Sequence, residues 1–297
     1  MQLLLLYFLM MKRIRLKMKL NAIYNNICER FKSVSENPRF EAKELIKYVC
    51  NLSETEFLLG RNDEITCEIE EKIFNFSKRR LSGVPLQYII GEWDFMGRTF
   101  KVGEGVLIPR PETELLCQYV IDCVSDKATP CVIDLCSGSG CIAISIKLEA
   151  ENTDVYAVEK SAEAFMYLKN NTENLCIDEP ITFINGDIFD IDAFKDIPKA
   201  DVIVSNPPYI NTADIASLQR EVKFEPVMAL DGGVDGLDFY RFIVAEWKSF
   251  LKDDGIFAFE CGEDQADKIG EILKDNGFDS FILKDYNDID RFVVGRR

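Results

Sequence analysis

The 297-residue chain contains no histidine, the side chain that proteins use most often as a general base near neutral pH and as a metal ligand. We therefore expect no metal site. Basic residues are also few, 35 against 51 acidic ones, and the formal net charge is −16. General nucleic-acid binders carry a basic surface, so this balance argues against tight DNA binding, although a local basic patch would be compatible with it.

Disulfide signatures are scarce as well. The ten cysteines include no Cys-x-x-Cys pair, and several of them, such as Cys117, Cys131 and Cys141, lie among apolar residues. In a chain of this length, the pattern is typical of small buried hydrophobic residues in a reducing compartment, and a zinc site is the weaker alternative. We therefore predict a cytoplasmic protein.

No apolar run is long enough to span a bilayer. The segment from Leu3 to Met11 is strongly apolar, but its basic residues follow it, whereas those of a secretory signal would precede it. Our interpretation is that residues 1–17 are an extension from a mis-assigned start, with Met18 as the initiator. A flexible tail and a weak membrane-surface anchor are the alternatives.

Residues 18–84 show helical periodicity. Asn37-Pro38 and Ser53-x-x-Glu56 are typical helix starts. Apolar residues recur four positions apart in stripes such as Ile23, Ile27 and Phe31. We predict a small helical bundle that recognises a partner or covers a site; a packing appendage is the alternative.

Residues 85–110 are predicted to form a β-hairpin linker, and residues 111–297 a second domain. Pro111 lies near the first position of a predicted helix that ends at Val124. Strands and helices then alternate, which predicts a mainly parallel, doubly wound sheet. The seven strands are expected at 131–135, 154–158, 181–185, 201–205, 255–260, 279–284 and 291–295, and the helices at 139–149, 161–174, 238–251 and 263–275. The last two strands are too close for a helical crossover, so one of them is expected to be antiparallel.

The segment Asn206-Pro207-Pro208-Tyr209 follows the predicted strand 201–205. Ligands of open α/β sheets bind at the carboxyl edge, where this segment would lie. The prolines stiffen the backbone and remove two donors, so that nearby carbonyls stay free to accept. Asn206 Oδ1 and a proline carbonyl could each accept one N–H of a planar NH2 group, and Tyr209 could pack on its plane.

A second motif begins at the end of the first strand. Asp134-x-Cys136-Ser137-Gly138-Ser139-Gly140 is a glycine-bearing turn at a helix start, where backbone N–H groups are free. Its spacing differs from the dinucleotide-binding pattern. Glu159 ends the second strand and could accept both hydroxyls of a ribose, while Asp187 and Ile188 follow the third. Together they suit an adenosyl ligand without a pyrophosphate, with Asp134 near the positive end of a methionine moiety.

With these motifs the chain resembles class I S-adenosylmethionine-dependent methyltransferases that act on a planar nitrogen. Further segments resemble the peptide chain release factor N5-glutamine methyltransferases, the HemK/PrmC family. These segments are Gln87-Tyr88-x-x-Gly91, Leu107-Ile-Pro-Arg-Pro-Glu-Thr-Glu114, Glu225-Pro226-x-x-Ala229-Leu230, Gly233-x-Asp235-Gly236-Leu237 and Asp290-Arg291-x-Val293-x-Gly295-Arg296. The resemblance runs from about Leu20 to Arg297.

The resemblance implies a seven-stranded sheet domain behind a helical substrate-recognition domain, and a monomer that needs neither nucleic acid nor membrane. It implies S-adenosylmethionine as the methyl donor and the glutamine of the GGQ motif of a release factor as the acceptor. Residues from Cys136 to Gly140 would hold the methionine part, Glu159 the ribose, and Asp187 with Ile188 the adenine. Asn206 and the Pro207 carbonyl would bind the glutamine amide beside Pro208 and Tyr209.

Three further residues come from the same resemblance. Phe100 on the hairpin is similar to an aromatic residue that lines the glutamine side chain; a hairpin core residue is the alternative. Arg110 and Thr113 match a loop that closes near the methionine end of the cofactor.

Two positions depart from the family's pattern. Cys136 replaces a glycine, which we expect to be tolerated if its φ stays negative. Ile188 stands where an aromatic residue is common, so we expect looser packing of the adenine.

Three other functions remain open from the sequence. They are a glutamine methyltransferase for another substrate such as a ribosomal protein, an N6-adenine DNA methyltransferase, and a non-catalytic scaffold with a methyltransferase fold. The acidic net charge disfavours DNA, and the intact Asn206 segment and glycine turn disfavour the scaffold.

Overall fold

The computed structural model describes residues 18–175 and 180–297. The predicted extension at residues 1–17 lies outside the described residues. The chain divides into two compact units between Ile90 and Gly91.

The described part of the N-terminal unit, from residue 18 onward, contains five α-helices: α1 (Leu20–Phe31), α2 (Pro38–Cys50), α3 (Glu54–Leu59), α4 (Cys67–Leu81) and α5 (Leu86–Ile90). The predicted starts are confirmed, because Asn37 Oδ1 accepts a hydrogen bond from Phe40 N and Ser53 forms a capping box with Glu56. The apolar stripes face one core, which Leu86 and Ile89 of α5 join. The helical unit therefore runs to Ile90.

The second unit begins with a hairpin of β1 (Glu92–Phe95) and β2 (Arg98–Lys101), followed by helix α6 (Thr113–Val124). A seven-stranded sheet then forms with the order β5-β4-β3-β6-β7-β9-β8. Its strands are β3 (Cys131–Leu135), β4 (Asp154–Glu159), β5 (Thr182–Asn185), β6 (Ala200–Ser205), β7 (Leu251–Glu260), β8 (Asp279–Lys284) and β9 (Asp290–Arg296). The intervening helices are α7 (Cys141–Glu149), α8 (Ala162–Asn174), α9 (Asp238–Glu246) and α10 (Ala266–Asp275).

Strand β9 pairs antiparallel with both β7 and β8, while β3 to β7 are parallel. This confirms the predicted doubly wound, seven-stranded sheet with an antiparallel last strand. Helix α9 ends earlier than predicted, at Glu246, and continues as a 3₁₀ turn over Trp247–Phe250. The Trp247 indole, buried in the core, donates to the Ile188 carbonyl at 3.1 Å.

The two central strands explain the position of the sequence motifs. Every residue of β3 and β6 is buried, which is typical of parallel strands covered on both faces. Leu135 pairs with Ser205, and Ser205 pairs with Phe259 of β7. The segments that begin at Cys136, Asn206 and Glu260 therefore leave the sheet side by side at its carboxyl edge.

Two negative findings concern only the described part of the chain. No helix in it is long and apolar enough to cross a membrane. Its nine cysteines are free thiols, and no cluster of at least three potential metal ligands occurs among these residues.

Candidate active site

A cavity opens at the carboxyl edge of the sheet in the second unit, and its volume, including the open space at its mouth, is about 980 Å³. Its walls come from the glycine turn, the ends of β4 and β6, and two loops that carry Leu107 and Met228. Of the predicted site residues, it brings together Thr113, Cys136, Ser137, Gly138, Ser139, Glu159, Asp187, Ile188, Asn206 and Pro208. A single cavity thus joins the two motifs that the sequence analysis singled out.

The glycine turn presents open backbone to this cavity. Gly138 has a φ of +56°, and no atom lies within 4 Å of the position that a Cβ would occupy there. Gly140 has a φ of +81°, and a Cβ there would lie 2.3 Å from the Leu168 side chain. Gly138 is therefore free to approach a ligand, whereas Gly140 is needed for close packing against helix α8.

Cys136 does not keep the negative φ that we expected. Its φ is +63°, in the left-handed region that costs an L-residue roughly 1–2 kcal/mol. The turn imposes this conformation, since Gly138 and Gly140 in the same turn also have positive φ. The expected condition for tolerating a side chain is not met, and Cys136 occupies a glycine-like position under strain.

Asp134 lies behind the turn and does not line the cavity. Its side chain is fully buried, and Oδ2 accepts a hydrogen bond from Ala143 N at 3.2 Å. Oδ1 is buried and has no hydrogen-bond partner among the described residues. Burial raises the pKa of Asp134 to about 8. Its predicted position near the positive end of a methionine moiety stays a prediction.

Glu159, at the end of β4, is held by two backbone donors. Gly138 N donates to Oε2 at 2.8 Å and Ser161 N donates to Oε1 at 2.7 Å. Burial raises the pKa of this carboxyl, while the backbone donors lower it. Each oxygen keeps a free lone pair that can accept from a ligand hydroxyl in the cavity.

The apolar end of the cavity contains two aromatic residues that the sequence analysis missed. Phe189 and Phe239 line it together with Ile188, and their ring centroids are 5.1 Å apart. Asp187 lies beside them and forms an ion pair with Lys160 at 2.7 Å. Our expectation of looser adenine packing at Ile188 did not take these rings into account. Phe239 comes from helix α9, which is distant from Ile188 in sequence.

The Asn206 segment is anchored from outside the cavity. The Tyr209 carbonyl accepts a hydrogen bond from Gln265 Nε2 at 2.8 Å. Gly232 approaches so closely that a Cβ there would lie 2.7 Å from the Pro208 carbonyl oxygen. Asn206 and Pro208 line the cavity, whereas Pro207 and Tyr209 lie outside the lining. Burial raises the pKa of Tyr209 to about 12, so its phenol stays protonated.

Asn206 also contacts two residues that are far away in sequence. Its Nδ2 donates to Thr113 Oγ1 at 3.3 Å, and the Thr113 hydroxyl donates to Glu260 Oε2 at 2.6 Å. Asn206 Oδ1 accepts no hydrogen bond from any residue that the structure describes. Glu260 carries no signal in the sequence, since it reaches Thr113 only through the packing of α6 against β7.

Arg110 does not line the cavity either. Its guanidinium forms an ion pair with Glu225 at 2.6 Å, and Glu225 also accepts from Ile108 N. Arg110 therefore connects two loops that flank the cavity instead of facing its interior.

Phe100 lies in the hydrophobic core. It has no exposed surface and packs edge-on against Phe95, with 6.0 Å between ring centroids. This geometry favours the alternative that we stated for it, a hairpin core residue, over a contact with a substrate.

Comparison with known proteins places these features in a family. Residues 22–91 match the family model "PrmC N-terminal domain" and residues 113–222 match "Methyltransferase small domain". The release factor glutamine methyltransferase of Aquifex aeolicus (strain VF5) is 36% identical over 279 residues, which cover 94% of this chain and 98% of that protein. The protein of that name from Thermodesulfovibrio yellowstonii is 40% identical and covers 86% of this chain and 91% of its own length.

Solved structures show the same fold at low identity. The hMettl16 catalytic domain, solved in complex with MAT2A 3'UTR hairpin 6, has a TM-score of 0.52 and 15% identity; the match covers 66% of this chain and 74% of that chain. At this identity the likeness concerns the fold alone, which is that of a class I methyltransferase. The two family models and the curated relatives show that the chain belongs to the release factor glutamine methyltransferase family.

Proposed function

We propose that this protein transfers a methyl group from S-adenosylmethionine to the side-chain amide nitrogen (N5) of the glutamine in the GGQ motif of peptide chain release factors. The observation that carries the proposal is the position of Asn206, at the cavity and next to the glycine turn, with Oδ1 free to accept. The names of the full-length relatives support the choice of glutamine and of release factors.

The residues around the cavity fit S-adenosylmethionine. When bound, this cofactor supplies a methyl group on a positively charged sulfur. Gly138 leaves room for close approach, Glu159 can accept from two ribose hydroxyls, and Phe189 with Phe239 offers aromatic surface for an adenine. The unpartnered Oδ1 of Asp134 lies behind the turn, where a positively charged ligand would favour the ionised form of this carboxyl.

Asn206 would act on the acceptor amide by orientation and charge. A carboxamide nitrogen is a weak nucleophile because its lone pair is delocalised into the carbonyl. Asn206 Oδ1, which lines the cavity, can accept one of its N–H bonds and aim the nitrogen at the methyl carbon; the Pro207 carbonyl, which lies outside the lining, would have to turn toward the cavity to accept the other. Because positive charge grows on the nitrogen as the N–C bond forms, both acceptors bind the transition state more strongly than the ground state.

No strong base is required for this reaction. The nitrogen loses its proton to water after the new N–C bond has formed, when the proton has become acidic. The chain contains no histidine, and the Tyr209 phenol stays protonated with a pKa of about 12. The rate acceleration then comes from the two hydrogen-bond acceptors and from the alignment of the substrate nitrogen with the methyl carbon.

Two alternatives differ in substrate only. A ribosomal protein could present its glutamine to the same two acceptors, whereas an adenine amino group would have to arrive on DNA. The net charge of −16 disfavours the second alternative.

One experiment separates these substrates. The protein is incubated with isotopically labelled S-adenosylmethionine and an equimolar mixture of a purified release factor, ribosomal proteins and DNA, and the label is mapped by mass spectrometry. We expect the label on the glutamine of the release factor's GGQ motif. Label on a ribosomal protein or on adenine, or none at all, would overturn the proposal.

A further inference from the structure

A chain of two hydrogen bonds connects Asn206 to a buried carboxylate. Asn206 Nδ2 lies 3.3 Å from Thr113 Oγ1, and Thr113 Oγ1 lies 2.6 Å from Glu260 Oε2. Thr113 and Glu260 are both about 2% exposed, so no solvent competes for the second bond. Asn206 directly follows β6, the neighbouring strand β7 ends at Glu260, and Thr113 begins helix α6, which packs on β7.

The direction of these bonds follows from the proton count. A threonine hydroxyl has one proton and two lone pairs. Thr113 Oγ1 lies 2.6 Å from Glu260 Oε2, so the hydroxyl proton lies in this short, charge-assisted bond to the carboxylate. While Glu260 is ionised, Thr113 can therefore meet Asn206 only with a lone pair, and only the NH2 end of the Asn206 amide can satisfy it.

This direction decides what Asn206 offers to a substrate. With its NH2 group against Thr113, the amide presents Oδ1, an acceptor, to the cavity. If the amide rotated by 180°, it would present two N–H donors to the N–H donors of a glutamine amide. Donors facing donors cannot bind, and positive charge on the substrate nitrogen would be repelled.

We infer that Thr113, held by Glu260, is a positioning residue that fixes the Asn206 amide with Oδ1 toward the cavity and so selects a substrate with a primary NH2 group. Thr113 thereby acts through Asn206 and not on the reacting atoms. The inference rests on the proposed function for the identity of the substrate. The orientation of the Asn206 amide can be tested without any substrate.

Three variants test the role of the hydroxyl. Thr113→Val keeps the shape of the side chain and removes the lone pair, whereas Thr113→Ser keeps the hydroxyl. Thr99→Val is the matched control, because Thr99 Oγ1 also donates to a carboxylate, Asp94 Oδ1, at 2.7 Å, but on the exposed face of the hairpin. For each variant we would measure kcat, KM for the release factor, Kd for S-adenosylmethionine, and the melting temperature.

We expect Thr113→Val to lower kcat about ten- to hundredfold, with KM and cofactor Kd within about threefold of the unaltered protein. Thr113→Ser is expected to restore most of the activity, and Thr99→Val to leave it unchanged. Equal loss in the valine and serine variants would show a packing role. A loss confined to cofactor Kd would assign Thr113 to the cofactor, and kcat within about twofold in Thr113→Val would also overturn the inference.

A second readout is independent of activity. In protein labelled with ¹⁵N-asparagine, the Asn206 side-chain amide is assigned by its loss in Asn206→Ala. We expect one Asn206 NH2 proton to exchange slowly with solvent in the unaltered protein and in Thr113→Ser, and rapidly in Thr113→Val. Identical exchange in all three would refute the amide orientation. If the exchange differs as expected but no release factor is methylated, the proposed function fails and the orientation stands.

Discussion

The Glu225 carboxylate accepts a hydrogen bond from the Arg110 guanidinium at 2.6 Å and joins two loops that are 115 residues apart in sequence. The Glu225 side chain is 2% exposed and that of Arg110 is 32% exposed, so the acid is the buried partner. The pair lies outside the cavity lining and connects the two loops that carry Leu107 and Met228.

Removal of the Arg110 side chain should therefore affect both the stability of the fold and the access of the protein substrate to the cavity. We expect Arg110→Ala to lower the free energy of unfolding by about 1–3 kcal/mol, because it leaves a buried carboxylate without its charged partner. We also expect a higher KM for the protein substrate. Urea denaturation and steady-state kinetics measure the two effects. Arg241→Ala is the control, since Arg241 pairs with exposed Asp235 and should cost less than about 1 kcal/mol. Equal costs for both variants would contradict a structural role for the Arg110–Glu225 pair.

Cys136 offers a test of backbone strain. Its φ of +63° favours glycine, so we expect Cys136→Gly to stabilise the protein by about 0.5–1 kcal/mol, after allowance for the greater freedom of glycine in the unfolded chain. Cys136→Ala keeps the Cβ and should give no such gain. Thermal denaturation of both variants measures the difference, and an equal or lower melting temperature for the glycine variant would show that the Cys136 side chain stabilises more than the strain costs.

The pH dependence of kcat follows from Glu260. Burial raises its pKa to about 7, against the opposing effects of the Thr113 hydroxyl and Arg291. When Glu260 gains a proton, it can donate to Thr113, whose own proton is then free to point at Asn206. We therefore expect kcat to fall as the pH drops below about 7, by up to about tenfold per pH unit.

Several charged and neutral groups surround Glu260. Its charged neighbours are Arg110, Glu112 and Arg291, and its neutral neighbours with raised pKa values are Tyr209, Cys141 and Cys261. The decline in kcat should be present in Thr113→Ser and absent in Thr113→Val. A decline of equal size in the valine variant would assign the titration to a group other than Glu260.

Asp134 gives a stability prediction with a defined sign. Burial raises its pKa to about 8 in the folded protein, so the folded state holds a proton that the unfolded state has lost above about pH 4. Its contribution to the free energy of unfolding therefore decreases as the pH rises from about 4 to about 8. Asp134→Asn should be more stable than the unaltered protein at pH 8 and bind S-adenosylmethionine more weakly. Equal free energies of unfolding for the two proteins at pH 8 would show that burial of Asp134 does not destabilise the fold. Isothermal titration calorimetry measures the cofactor affinity.

The sequence predicts those helices and strands whose local hydrophobic pattern matches their burial in the folded protein. Strand 131–135 was located without error because a short, mostly apolar segment directly before a glycine turn has few other interpretations. The antiparallel last strand followed from a connection too short for a crossover. Helix α9 was predicted too long, since the turn at Trp247 depends on the buried bond from its indole to the Ile188 carbonyl.

Site residues that lie in one contiguous segment could be predicted from the sequence. Site residues that only the packing of distant elements brings together could not. The Asn206 segment and the glycine turn are contiguous in sequence, so their chemistry could be read directly. Glu260 and Phe239 reach the site through neighbouring strands and a helix on the other side of the sheet. The positive φ of Cys136 could not be read, because the turn and not the residue decides it.

The central claim is that Asn206 Oδ1 holds the substrate amide for transfer. Single-turnover methylation of a release factor by Asn206→Ala, with cofactor affinity measured in parallel, tests it most directly, and Asn211→Ala is the control because Asn211 lies on the exposed loop beyond the segment. We expect Asn206→Ala to lose at least about a hundredfold in the rate of transfer while it binds S-adenosylmethionine as the unaltered protein does. Methylation at an unchanged rate by Asn206→Ala would contradict the account.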